Sequence, residues 1–335
     1  MAHFTRVSRR SALALLNAAA LTWTAGFSRI AAAQDATPTL APGATPPDSA
    51  PTDAAGAPVI GAAVDQSSRM TVPVTIGGRG PYPFIVDTAL ERSIISKELA
   101  AELKLAEGPR TTVYTMTGRE NIGSAVLPPL EINGVRLAPK TAAKFDERNI
   151  GAKGVVGIDA LKNQRIVLNL RAGTMTMNTD PVMDEDWKGE TITVTARSKL
   201  GQLVLTNAGV GTDDDAISVI INTGSETSVG NQALKRFLQR TGSLKSFRIA
   251  QLISISGEST PVDWVSVQRL RVGGMVVGSL PVAFTDAQPF RRLGLNRDRA
   301  LLLGMDVLKL FDQVALNFQR RTVQFFWQNP VKPAV

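Results

Sequence analysis

Phe84-Ile85-Val86-Asp87-Thr88-Ala89 and Val219-Ile220-Ile221-Asn222-Thr223-Gly224 are two near-copies of one stretch. Each apolar run predicts a buried strand, and each ends on a small polar residue, a threonine and a residue suited to a tight turn. One copy carries aspartate where the other carries asparagine. Architecture is therefore easier to read from these stretches than chemistry.

Working outward, the chain repeats itself once. Gly157-Ile158-Asp159-Ala160-Leu161-Lys162 is followed by Ile166-Val167-Leu168-Asn169-Leu170, a turn, and Thr174-Met175-Thr176-Met177. Gly304-Met305-Asp306-Val307-Leu308-Lys309 is followed by Val314-Ala315-Leu316-Asn317-Phe318, a turn, and Thr322-Val323-Gln324-Phe325. Two matched elements in matched order argue for a duplicated lobe. Short apolar or alternating runs between Gly and Asn turns predict an all-β fold with few short helices, Lys97 to Leu105 and Gln232 to Arg240 among them. A helical turn is expected after each Gly-hydrophobic-Asp segment. Hairpins are expected at Gly77-Gly78, at Glu131 to Val135 and at Arg271 to Met275, with Pro73 at a strand start or edge. The expected lobes are residues 69–182 and 190–328, joined through Pro181 to Gly189.

Composition narrows the chemistry. The 335 residues contain no cysteine and one histidine, His3. Disulfides, thiol nucleophiles, Cys or His metal sites and Ser-His-Asp or Cys-His mechanisms are excluded once that histidine is removed with a leader. Carboxylates, lysines, tyrosines and hydroxyls remain for acid–base work. No cofactor or metal is expected.

Ser8-Arg9-Arg10-Ser11, an apolar stretch from Ala12 to Phe27, and Ala31-Ala32-Ala33 form an export-signal pattern over residues 1–33. The arginine pair resembles a twin-arginine signal, the plainer alternative being a general secretory one. Either predicts a protein outside the bacterial cytoplasm, periplasmic or secreted. That segment holds four arginines and no acid, so its removal takes the net charge from +8 to +4. This is too mild for a nucleic-acid footprint, and no later apolar run is long enough to span a bilayer. Residues 34–68, with five prolines from Pro38 to Pro51, are expected to form a disordered tether.

Together these segments resemble bacterial retropepsin-like aspartic proteases over roughly residues 70 to 327, in the tandem arrangement of pepsin-type single-chain enzymes. The resemblance implies two tandem β-barrel lobes about a pseudo-two-fold axis, a monomer in effect, with an extended peptide or protein substrate in the inter-lobe cleft. It implies catalytic positions at Asp87 and Asn222. Thr88 and Thr223 would cross-brace the turns, Ala89 and Gly224 would follow them, and Ser225 would bond the outer oxygen of the side chain beside it. It further implies flaps at Thr115-Met116-Thr117-Gly118 and Ser254-Ile255-Ser256-Gly257, with Thr117, Gly118, Ser256 and Gly257 at the tips. The number of working flaps stays open, as does the reading of both as ordinary surface hairpins.

The departures matter as much. In that family two carboxylates share one proton, one accepting from water while the other donates to the scissile carbonyl. An asparagine amide can hold a water or carbonyl but cannot carry charge or exchange the proton. Asp87, without a like-charged neighbour, is expected to titrate near an ordinary aspartate. Asp87 also lacks the following glycine and serine, which stand instead beside Asn222. Read alone, Asp87 could be a turn-capping carboxylate and Asn222 a turn asparagine. Asp213-Asp214-Asp215 reads as a solvated turn in preference to a calcium loop, and Glu226 as a surface residue. Peptidase and disarmed peptide- or partner-binding module are the two functions carried forward, with an envelope structural protein as a weaker third.

Overall fold

The structure is a computed structural model that describes residues 59–61, 63–64, 69–132, 134–178, 187–211 and 215–328. The expected export signal, most of the expected tether, Asn133, Asp213, Asp214 and residues 179–186, which include most of the connection, lie outside the described residues.

Each repeat builds the same small unit from the duplicated stretch. Strand Arg79–Val86 delivers Asp87 at its end and runs parallel to Gly154–Val156. Ile94–Ser96 pairs antiparallel on the other side of Gly154–Val156, and Thr141–Phe145 lies parallel beside it. In the second repeat Ser218–Ile221 delivers Asn222 and runs parallel to Ala300–Leu303. Val229–Gly230 flanks that strand antiparallel, and Met275–Phe284 lies parallel beyond. A strand covered on both faces must be apolar throughout, which is why Phe84, Ile85 and Val86 are all buried, as are Val219, Ile220 and Ile221.

The hairpins Arg165–Asn169/Thr174–Asn178 and Gln313–Asn317/Thr322–Trp327 close the two repeats. Asn169 and Asn317 hold their turns identically, each Oδ1 accepting a backbone N–H three residues on, from Ala172 and Arg320, at 2.8 Å. The first strands of the two hairpins pair antiparallel with each other, and Val167 falls opposite Ala315, its own counterpart in the repeat. The pseudo-two-fold axis passes through that pair. One apolar cluster, with Phe84 and Ile166 from the first repeat and Ile221 and Leu316 from the second, runs through both.

Among the described residues the strands form a 15-stranded and a 10-stranded sheet, each an open path. The mostly-β, tandem organisation is as expected; among the described residues neither repeat closes into a barrel, and the first strands of the two closing hairpins pair with each other across the repeats. The six helices among the described residues are short. Gln232–Arg240 matches expectation, but the first helix ends at Glu102, short of Leu105, since Lys104 takes a left-handed φ of 54°. Helical turns Ile158–Leu161 and Met305–Leu308 follow the Gly-hydrophobic-Asp segments. Pro73 lies mid-strand in Met70–Ile76, where only Pro83 pairs with it. The outer side of that strand is taken at Met70–Thr71 and at Thr75–Ile76, leaving a gap that a residue without N–H tolerates. No helix among the described residues is long and apolar enough to cross a membrane.

Candidate active site

The two turns meet at the base of one cleft, with Asp87 and Ala89 lining one side and Asn222, Gly224 and Ser225 the other. Both are held at the same height by parallel neighbours. The Asp87 N–H donates to the Val156 carbonyl at 3.0 Å and the Asn222 N–H to the Leu303 carbonyl at 2.9 Å. Between them Thr88 and Thr223 form a reciprocal brace. Thr88 Oγ1 donates to the Ile221 carbonyl at 2.9 Å and accepts the Thr223 N–H at 3.3 Å. Thr223 Oγ1 donates to the Val86 carbonyl at 2.7 Å and accepts the Thr88 N–H at 3.1 Å. Both hydroxyls are buried, so four backbone groups depend on them for partners.

The side chains at the centre are posed alike. Asp87 Oδ1 accepts N–H groups of Ala89 at 2.8 Å and Leu90 at 3.1 Å; Asn222 Oδ1 accepts the Gly224 N–H at 3.1 Å. The turn-asparagine and site readings of Asn222 thus coexist. Gly224 lies directly against the Asp87 carboxyl, where a Cβ would overlap it, and this close approach is what the glycine permits. Burial pushes the Asp87 carboxyl above the ordinary aspartate range, opposed by the Ala89 and Leu90 N–H groups and by Arg69. The expectation of near-ordinary titration is overturned: desolvation alone raises the pKa, without a second carboxylate.

Ser225 also departs from expectation. It lines the cleft, but its Oγ donates to the Thr227 carbonyl at 2.8 Å, closing a short local turn, and so does not bond Asn222. Glu226 is exposed and is not part of the cleft lining, and Asp215 pairs with Arg299 at 3.0 Å.

Both expected flaps are hairpin tips over the cleft. Glu107–Tyr114 pairs with Arg119–Val126, and Leu244–Ile253 with Ser259–Val272. Each reaches across: Met116 packs against the second repeat's cluster around Ile220 and Phe290, and Ile255 against the first repeat's around Ile85 and Val155. The tips touch, Thr117 Oγ1 donating to Glu258 Oε2 at 3.0 Å. Asn149 Nδ2 donates to the Ser256 carbonyl at 3.0 Å, and Gly257 stands close to the same asparagine. Gly118 closes the first tip through its N–H to Thr115 Oγ1 at 3.0 Å.

Sequence reasoning missed a second matched device. Ser93 donates from N and Oγ to Asp159 Oδ1 at 2.8 Å; Ser228 donates from N to Asp306 Oδ2 at 2.9 Å and from Oγ to Asp306 Oδ1 at 2.7 Å. Each serine hydroxyl in turn accepts a glycine N–H at 3.1 Å, from Gly157 and Gly304. These clasps lock the loop after each turn to the following helical turn. Their signal was present, since each serine and each aspartate recurs at matching places in the repeat. Arg69, which lines the cleft and donates to the Ile150 carbonyl at 2.7 Å, has no such counterpart to announce it.

A model of the aspartyl protease family matches residues 72–160 and 208–307, one segment per repeat. The chain belongs to the aspartyl protease family. The two matched segments contain both turns, both clasps and both flaps of this aspartyl protease relative. No curated protein matches the chain.

Proposed function

We propose that this member of the aspartyl protease family binds an extended peptide in the cleft between its repeats, and that Asn222 disables hydrolysis by a shared-proton carboxylate pair. The observation that carries the reading is the common pose of Asp87 and Asn222 at either side of the threonine brace. The scaffold supports a dyad, and the residue set supplies one carboxylate. Asp87 can accept a proton from water, but the Asn222 amide has none to exchange with it.

The raised pKa of Asp87 favours a second reading, residual endopeptidase activity. A carboxyl held above its ordinary range is a better base once ionised, and an Asn222 N–H could donate to the scissile carbonyl without being transferred. Cleavage of a peptide library by residues 34–335 from acid to neutral pH separates the two. No cleavage by the wild type, with cleavage gained by Asn222→Asp, supports the disarmed cleft. Wild-type cleavage that is pepstatin-sensitive and lost in Asp87→Ala overturns disarming and establishes the peptidase. Failure of either protein to cut or to bind any peptide sinks both readings.

We take residues 69–182 and 190–328 as the lobes, and residues 1–33 as the signal that exports the chain to the periplasm or beyond. Retention of the chain in the cytoplasm on replacing Arg9 and Arg10 with lysine would support the twin-arginine route.

A further inference from the structure

The two flaps match in sequence position but not in how they spend their hydroxyls. Thr115 Oγ1 accepts the Gly118 N–H at 3.0 Å and donates to the Gly118 carbonyl at 3.1 Å, so it is consumed in holding its own turn. Ser254, its counterpart, closes the second turn with backbone alone. Its N–H donates to the Glu258 carbonyl at 2.8 Å, and its carbonyl accepts the Gly257 N–H at 2.9 Å. That leaves the Ser254 hydroxyl buried with no hydrogen-bond partner among the described residues, on a residue 3% exposed. The same residue lines the cleft that holds Asp87 and Asn222.

A buried hydroxyl without a partner opposes the closed conformation that buries it. The penalty disappears when something entering the cleft supplies the missing bond. With His3 the chain's one histidine, no imidazole stands in the cleft to activate the hydroxyl as a nucleophile, so the role left to it is binding. We infer that Ser254 Oγ is the group by which the second flap grips a bound peptide, through a hydrogen bond that its oxygen accepts from one main-chain N–H of the ligand. Thr115 has nothing equivalent to offer. The flaps therefore grip unequally, and an extended peptide lies across the cleft in one direction.

This rests on the peptide-cleft reading, and its test separates the two. A statine-containing pepstatin-type peptide, and a series with single main-chain amides replaced by esters, is titrated calorimetrically into wild type and Ser254→Ala. Loss of one hydrogen bond predicts about five- to tenfold weaker binding of the parent peptide by the variant. The melting temperature of the free variant should be unchanged or higher, because no existing bond is removed. One ester should weaken binding to wild type and make no difference to the variant. Equal affinity of the two proteins overturns the inference. So does weaker binding in which every ester costs the variant what it costs the wild type, since the hydroxyl would then act on the flap and not on the ligand. Absence of binding by wild type overturns the peptide-cleft reading itself, and the inference with it.

Discussion

Asp87 carries an energetic penalty that Asn222 does not. Burial raises its pKa, so the folded state holds the proton to higher pH than the unfolded state does. Between the unfolded value, about 3.9, and the higher folded one, the folded state binds more protons, and stability falls as pH rises. Below that window the carboxyl is protonated in both states and the penalty vanishes. Asp87→Asn should therefore melt above wild type at pH 7, and the gap should close as the pH falls below about 4. Asp159 and Asp306 are raised by burial in the same direction, and both remain in the variant, so the difference isolates Asp87. A gap that stays constant across pH would show that the carboxyl is not desolvated. Both posing residues were legible in the sequence because they sit in repeated stretches. The direction of the pKa shift was not, since it depends on how closely the cleft floor packs.

The flaps are elements whose existence the sequence disclosed and whose behaviour it did not. A glycine three residues beyond a threonine or serine marks each hairpin tip, but nothing local shows that Met116 and Ile255 each pack on the opposite repeat. Their cross-docking is a long-range packing fact, like the threonine brace. The Thr117–Glu258 bond is exposed, where water competes for both partners, so the apolar tips should do most of the holding. Truncation of a half-buried side chain should cost about 1–2 kcal/mol of local closure. Hydrogen exchange in residues 254–257 of Ile255→Ala should accordingly be about tenfold faster than in wild type, with the exchange of strand Ala300–Leu303 unchanged. Equal protection at the tip would mean that the polar contacts hold the flap. Whether each lobe closes into a barrel was not legible at this scale. The alternating pattern identifies strands and faces, but it does not say whether an edge pairs within its own lobe or beyond it.

For the molecule as a whole, the shared sheet makes the two repeats one folding unit. Val167 and Ala315 pair across the axis, and the main cluster draws side chains from both repeats. Scanning calorimetry of residues 34–335 should show a single transition whose calorimetric and van't Hoff enthalpies agree. Two separable transitions would mean that the cross-axis pairing contributes little. The duplication itself was readable, because both closing hairpins repeat in order. The location of the axis was not, since it depends on a register that places Val167 opposite its own counterpart.

The brace has a consequence for descent. The threonines, not the carboxylates, hold the two turns together, and their partners are backbone groups indifferent to what stands at positions 87 and 222. On the function proposed above, a lineage built on this scaffold can pass between cutting a peptide and merely holding it by one amino-acid replacement, with the brace kept throughout. Retention of the architecture is then no record of retained chemistry, and in such chains the history of activity must be read from two positions alone.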